Sequence, residues 1–220
     1  MNKICLILPV LKEEKNISKI YNKIKKVIKK IDILFVEDKS TDKTRYEILK
    51  IQKKNKNIFC LSRKIKKGIG SAHKDGIKWC YKKKYKTIIT MDADGTHDPK
   101  YIPILIKKSK DYDIVTTSRF KKADSLVDWP LHRKILTYIR LLITKILIGI
   151  NFDASGAFRC FETKKMPLND IIGVKSNHYD YFLESLYIIF KKKYSIYEVP
   201  IKLSYRKLGK SKMSITHIFI

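Results

Sequence analysis

Acidic residues are scarce in this chain. It carries 21 Asp and Glu against 49 Lys and Arg, a formal charge of +28 at pH 7. So large an imbalance favours anionic partners such as nucleic acid, acidic lipid or a phosphorylated substrate, and carries no information about fold. Cysteine is also sparse. Cys5, Cys60, Cys80 and Cys160 form no C-x-x-C pair and lie in or beside apolar segments. That argues against disulfides and zinc, and for reduced thiols in a cytosolic setting. No uninterrupted apolar run approaches the ~20 residues of a membrane span. No signal peptide is read, because Asn2 and Lys3 lead directly into a strand-like run. RNA- and DNA-binding signatures are missing too, and lysine is dispersed rather than confined to one element, so no nucleic-acid partner is expected.

What is present is an alternation of apolar runs and amphipathic segments. Ile4–Leu8 reads as a first strand, stopped by Pro9. Ile17, Ile20, Tyr21, Ile24, Val27, Ile28 and Ile31 follow at helical spacing with lysines between them. Ile33–Val36, Ile58–Leu61, Thr87–Met91 and Asp113–Thr117 read as further strands. Helices are predicted from about Thr44 to Lys54, behind a Ser40-Thr41-Asp42 cap, and from Gly68 to about Tyr81. Strands alternating with helices predict an α/β fold, with a mostly parallel central sheet flanked by helices.

The polar residues collect where such a sheet binds ligands, past the C-terminal ends of its strands. Pro9 and Glu13 follow the first strand, Glu37, Asp38, Ser40 and Asp42 the second, and Arg63 the third. Asp92 and Asp94 follow the fourth, and Arg119 the fifth. Two carboxylates at i and i+2 suit one hard divalent cation, Mg2+ or Mn2+. A lone Asp-x-Asp is more often a solvated turn, so the weight rests on the company it keeps. Lys67-Gly68-Ile69-Gly70 is neither a P-loop nor a dinucleotide fingerprint. It fits an anion at a helix N-terminus or a structural turn equally well.

The ordered set Leu8-Pro9-Val10-Leu11-Lys12-Glu13, Val36-Glu37-Asp38, Gly68-Ile69-Gly70-Ser71-Ala72 and Met91-Asp92-Ala93-Asp94 resembles the family 2 glycosyltransferases. The chain is most similar to their dolichol-phosphate mannose synthase branch. Asp128-Trp129-Pro130-Leu131-His132-Arg133, Asp153 to Arg159, Glu198-Val199-Pro200-Ile201 and Arg206 to Met213 extend the likeness along the chain.

The resemblance implies a single GT-A domain over residues 1–220. Residues 1–120 would form the nucleotide-sugar-binding half and 121–220 the acceptor- and membrane-facing half. Pro9, Glu13, Glu37, Asp38, Asp92, Ala93 and Asp94 would bind the donor, with Asp92 and Asp94 holding Mg2+ or Mn2+ on its diphosphate. Arg119, Arg133, Arg159, Arg206 and Lys212 would meet phosphate groups. Asp94, Arg119 and Arg159 would carry catalysis through charge neutralisation. The chain departs from the family pattern at Lys12, Glu37 and Phe182. Phenylalanine cannot ligate a metal, which leaves water or a neighbour such as Asp180 or Glu184 for a third position.

The implied reaction moves a sugar, most simply mannose from GDP-mannose, to a polyprenyl phosphate with inversion. A UDP-sugar or a non-lipid acceptor is the alternative. The acceptor is already an anion, so no general base is assigned. Ile135 to Ile150 is apolar over 16 residues, interrupted by Arg140 and Lys145. That length suits an interfacial helix with basic anchors, or a core helix, better than a span. The expected setting is the cytosolic face of an anionic membrane, with a small membrane subunit as a further possible partner.

Overall fold

The computed structural model describes residues 3–205. Seven strands form one sheet: β1 (Ile4–Val10), β2 (Asp32–Glu37), β3 (Ile58–Ser62), β4 (Thr87–Thr90), β5 (Ile114–Ser118), β7 (Arg159–Glu162) and β8 (Ile196–Pro200). Their order is β3-β2-β1-β4-β7-β5-β8, and a separate ribbon pairs β6 (Leu126–Val127) with β9 (Leu203–Ser204). All contacts in the large sheet are parallel except those of β7, which runs antiparallel between β4 and β5.

The sheet is apolar on both faces because it is covered on both. Leu6, Leu8, Ile33, Phe35 and Ile89 pack with Ile17, Ile20 and Ile24 of α1 (Glu14–Val27), Ile48 of α2 (Thr44–Gln52), and Ile102 and Leu105 of α4 (Ile102–Lys108). The alternate residues Cys5, Ile7, Leu34, Val36 and Ile88 face Ala72, Ile77 and Cys80 of α3 (Ile69–Lys82), Ile171 of α6 (Leu168–Ile172), and Ile189 of α7 (Asp180–Lys191). Two-residue alternation within a continuously apolar strand is the pattern of a sheet buried between helix layers. Each buried Leu, Ile, Val or Phe among them contributes roughly 1.5–3 kcal/mol relative to exposure.

Pro9 does not end β1. It sits opposite Val36 in the parallel ladder, and the strand runs on to Val10 opposite Glu37. Proline removes only its own N–H bond. The flanking ladder persists, and Asp38 N donates to Val10 O at 3.0 Å.

The chain winds from β1 to β2 to β3 in one direction, then returns to place β4 on the other side of β1. The order reverses between β1 and β4. Connections leaving these two strands therefore diverge and open a crevice beyond their C-terminal ends.

Helix α5 (Leu131–Ile148) follows the small ribbon's first strand and ends at Gly149 in the left-handed region, φ 73°. Of its residues only Thr144 is buried. Leu131, Ile135, Ile139, Leu142, Ile143, Ile146 and Leu147 are all exposed.

Candidate active site

The crevice is a cleft of about 720 Å³, and it brings together most of the residues selected from sequence. Pro9 and Glu13 line it from the end of β1, Asp38 from β2, and Asp92, Ala93 and Asp94 from β4. Arg119 enters from β5 and Arg133 from α5. Arg206 and Lys212 lie outside the described residues.

The acidic wall is held by short-range bonds between the loops after β1 and β2. Glu13 is buried, accepts from Asn16 Nδ2 at 2.6 Å, and its main-chain N–H donates to Thr44 Oγ1 at 2.7 Å. Lys12 N donates to Ser40 Oγ at 3.0 Å. Lys12 itself lies at φ 53°, a region in which asparagine is enriched and lysine is not. Asp38 pairs with Arg63 at 2.8 Å, and Arg63 Nε also reaches Asp75 at 3.0 Å. Burial raises the Asp38 pKa from its ordinary value, with Arg63 opposing.

Glu37 has a different role from the one expected. It is buried outside the cleft lining, and its carboxylate accepts the main-chain N–H of Ser40. It braces the loop that carries Asp38 and does not line the cleft.

Asp94 is fixed by its own turn. Oδ1 accepts from Thr96 N at 3.0 Å and Thr96 Oγ1 at 2.7 Å, an Asx-type arrangement. His97 packs beneath, with Nδ1 accepting from Asp92 N at 3.3 Å. Burial pushes the imidazole down to about 4, with Asp94 acting in the opposite direction. His97 is thus a neutral support at physiological pH.

Asp92 and Asp94 both line the cleft at the end of β4. Asp180 and Glu184 do not join them. Asp180 accepts from His178 N at 3.2 Å, and Glu184 accepts from the N–H groups of Lys175 and Ser176, both at 2.9 Å. Among the described residues no group of three His, Cys, Asp or Glu side chains is placed to hold a metal ion. Two carboxylates still fit Mg2+ or Mn2+, because such ions take the rest of their oxygen shell from water and substrate phosphate.

The opposite wall is basic. Arg119 Nε and Nη2 donate to Asp153 Oδ2 and Oδ1 at 2.8 and 2.7 Å, and the Arg119 main-chain N–H adds a bond of 3.1 Å. Glu198 extends the chain inward, its Oε1 accepting from Asp153 N at 2.7 Å. Arg133 lies over the ring of Tyr205, 5.4 Å from its centroid. Arg140 lines the same wall. Sequence reading treated Arg140 as an anchor interrupting an apolar helix and gave Asp153 no role, although Asp153 opens one of the quoted motifs.

Arg159 is the clear correction. It lies behind the cleft, not in its lining, and is buried. Its guanidinium donates to Gly156 O at 3.0 Å, Ala154 O at 3.0 Å, Phe182 O at 2.6 Å and Ser185 Oγ at 2.8 Å. A guanidinium so occupied joins β7, the 154–156 turn and α7 rather than meeting substrate. Phe182 packs beneath it at 5.7 Å and edge-on to His73 at 5.1 Å.

The glycine loop resolves toward a close approach. A Cβ on Gly68 would lie 2.6 Å from Asn177 O, and φ there is +93°. A Cβ on Gly70 would lie 2.7 Å from His178 O. The missing side chains let segment 177–181 cross the start of α3, and this brings His178 to the cleft rim.

A mostly parallel sheet with paired carboxylates at its switch point is the architecture of a GT-A glycosyltransferase. Residues 5–166 match the family described as Glycosyl transferase family 2, and the chain belongs to it. An undecaprenyl-phosphate mannosyltransferase of Micrococcus luteus is 27% identical over 213 residues, covering 96% of this chain and 88% of its own length. A polyprenol monophosphomannose synthase of Mycolicibacterium smegmatis is 26% identical, covering 97% and 82%. An uncharacterized protein of Methanocaldococcus jannaschii is 33% identical over 218 residues, covering 96% and 85%. Among solved structures, glucosyl-3-phosphoglycerate synthase from Mycobacterium tuberculosis, in complex with Mn2+, UDP and glucosyl-3-phosphoglycerate, has a TM-score of 0.69 at 14% identity. It covers 96% of this chain, which covers 73% of that one, and the likeness is one of fold.

Proposed function

We propose that this glycosyltransferase moves mannose from GDP-mannose to a polyprenyl phosphate at a membrane surface. One observation carries the reading: a single cleft has an acidic wall on the sheet and a basic wall on an exposed apolar helix. Two relatives named for polyprenyl mannosyl transfer, each matching nearly the whole chain, support the same substrates.

On the acidic side, Pro9, Glu13 and Asp38 hold the base and ribose, since carboxylates accept from ribose hydroxyls and base N–H groups. Asp92 and Asp94, with Ala93 between them, hold Mg2+ or Mn2+ at the donor diphosphate. When bound, that ion offsets charge on the departing nucleoside diphosphate. On the basic side, Arg119 and Arg133 receive phosphate oxygens, Arg119 pre-aimed by Asp153. A phosphate oxygen of the acceptor attacks the anomeric carbon. The new carbon–oxygen bond forms as the bond to the diphosphate breaks, with inversion. The nucleophile arrives ionised, so the protein contributes position and charge rather than proton removal.

No helix among the described residues is long and apolar enough to cross a membrane. The exposed apolar side of α5 fits the headgroup boundary, and the net charge of +28 adds attraction to anionic lipid. A panel of labelled nucleotide sugars offered with polyprenyl phosphate tests the donor. Label reaching the organic phase from GDP-mannose supports the reading. Label arriving only from a UDP-sugar would replace mannose transfer with the UDP-sugar alternative.

A further inference from the structure

Among the described residues, Arg140 lines the cleft with neither an ion pair nor a ring to rest on. Arg119 is bound by Asp153, and Arg133 rests on Tyr205. Arg140 makes no ion pair within 4.0 Å among the described residues, although it is only partly exposed. Asp153 is the one carboxylate whose field favours its charge, and two N–H groups of Arg119 already occupy that carboxylate. Burial, and then the nearby charge of Arg119, lower the Arg140 pKa from the ordinary guanidinium value. A partly buried cation beside a second cation, with no carboxylate left to share, is a site awaiting an anion.

The helix says which anion. Arg133, Thr137, Arg140 and Thr144 recur on the inner side of α5 and line the cleft. Both threonine hydroxyls are spent on their own helix, donating to Arg133 O and Arg140 O at 2.8 Å each. Leu136 and Leu141 flank Arg140 in the lining, while Ile139, Leu142 and Ile143 are exposed on the other side. Arg140 therefore points its charge into the cleft and is not an outward anchor for headgroups. A phosphomonoester attached to a hydrocarbon chain matches a guanidinium set between leucines. A nucleoside diphosphate does not, and its place lies across the cleft at the carboxylates.

We propose that Arg140, beside Arg119, binds the monoester phosphate of the lipid acceptor. The inference deepens the lipid-phosphate reading above and rests on it.

The test is a calorimetric titration of the full chain with geranyl phosphate, a water-soluble prenyl monophosphate, with GDP plus Mn2+ titrated in parallel. Arg140→Met should weaken geranyl phosphate about tenfold to a hundredfold, the range for losing a charged hydrogen-bond partner, and leave GDP within about twofold. Arg140→Lys, which keeps the charge without the fork, should fall between. Circular dichroism confirms that each variant is folded. Unchanged geranyl phosphate affinity in Arg140→Met, selective loss of GDP, or no geranyl phosphate binding by the wild type would each overturn the proposal. A wild type that binds geranyl phosphate through Arg140 yet transfers no sugar to polyprenyl phosphate would keep this site and sink the transfer reading instead.

Discussion

Arg119 and Asp153 form a two-pronged pair at 2.8 and 2.7 Å, with Asp153 only 2% exposed. The aspartate lines the cleft beside this arginine, with both carboxylate oxygens engaged by it. Its work is to hold the guanidinium plane toward the cleft. Asp153→Asn keeps the shape and removes the charge, stranding a buried cation. Breaking a buried pair in this way costs about 3 kcal/mol or more, so thermal melts should shift down and turnover should fall at least tenfold. The acid limb of stability should change as well. Burial alone would raise the Asp153 carboxyl, but Arg119 and the surrounding hydrogen bonds outweigh it and hold the pKa below the ordinary value. A depressed carboxylate stabilises the fold above its unfolded pKa, about 3.9, and the gain disappears as pH falls through the lower folded value. Melting temperature against pH below about 4 should therefore be flatter in Asp153→Asn than in the wild type.

Gly70→Ala tests the crossing of segment 177–181 over α3. The added methyl would press on His178 O and the Tyr181 side chain, and backbone cannot yield as a side-chain tip does. Overpacking of this kind costs about 1–3 kcal/mol. The melt should fall by that amount, although alanine is the better helix former. An unchanged melt would mean that the segment does not lie against the helix.

Arg159 separates structure from catalysis. Its four hydrogen bonds run to Gly156, Ala154, Phe182 and Ser185. Arg159→Met leaves three carbonyl groups and a hydroxyl without this donor, at about 1–3 kcal/mol for each group left unsatisfied. Loss of stability should therefore dominate, and the apparent affinity for phosphate-bearing substrates in the surviving folded fraction should hold. A stable variant with a raised KM would return Arg159 to the phosphate site.

Much of this was legible in the chain. Five strands and the helices between them follow from apolar runs such as Ile33–Val36 and from the spacing of Ile17, Ile20 and Ile24. The acid at Asp92 and Asp94 follows from its position past a strand. What was not legible depends on contacts distant in sequence. Arg159-Cys160-Phe161-Glu162 is too short and mixed to announce a strand, and its antiparallel insertion between β4 and β5 is fixed only by pairing. A guanidinium consumed by main-chain carbonyls reads the same in sequence as one free to bind phosphate, which is why Arg159 was placed among the phosphate-binding residues. Pro9 read as a stop because its effect on a ladder depends on whether the neighbours keep their bonds.

The outward side of α5 makes a prediction about membranes. Ile139, Leu142 and Ile146 are 46%, 55% and 69% exposed and belong to no buried core. Replacing all three with serine should leave the melt and nucleotide binding intact. Co-sedimentation with anionic vesicles should drop at least tenfold, given roughly 0.8 kcal/mol for each methylene removed from an apolar environment. Equal binding of variant and wild type would place the membrane contact elsewhere.

The most direct measurement is the transfer of label from GDP-mannose to polyprenyl phosphate in anionic vesicles, with Mg2+ or Mn2+ present. The predicted result is one mannosyl lipid, formed by the wild type and lost both on chelation and in Asp94→Asn. Folded wild-type protein that yields no lipid-linked sugar from any nucleotide sugar would contradict the proposed function. Lipid product that survives chelation and Asp94→Asn would contradict the metal role of the two carboxylates.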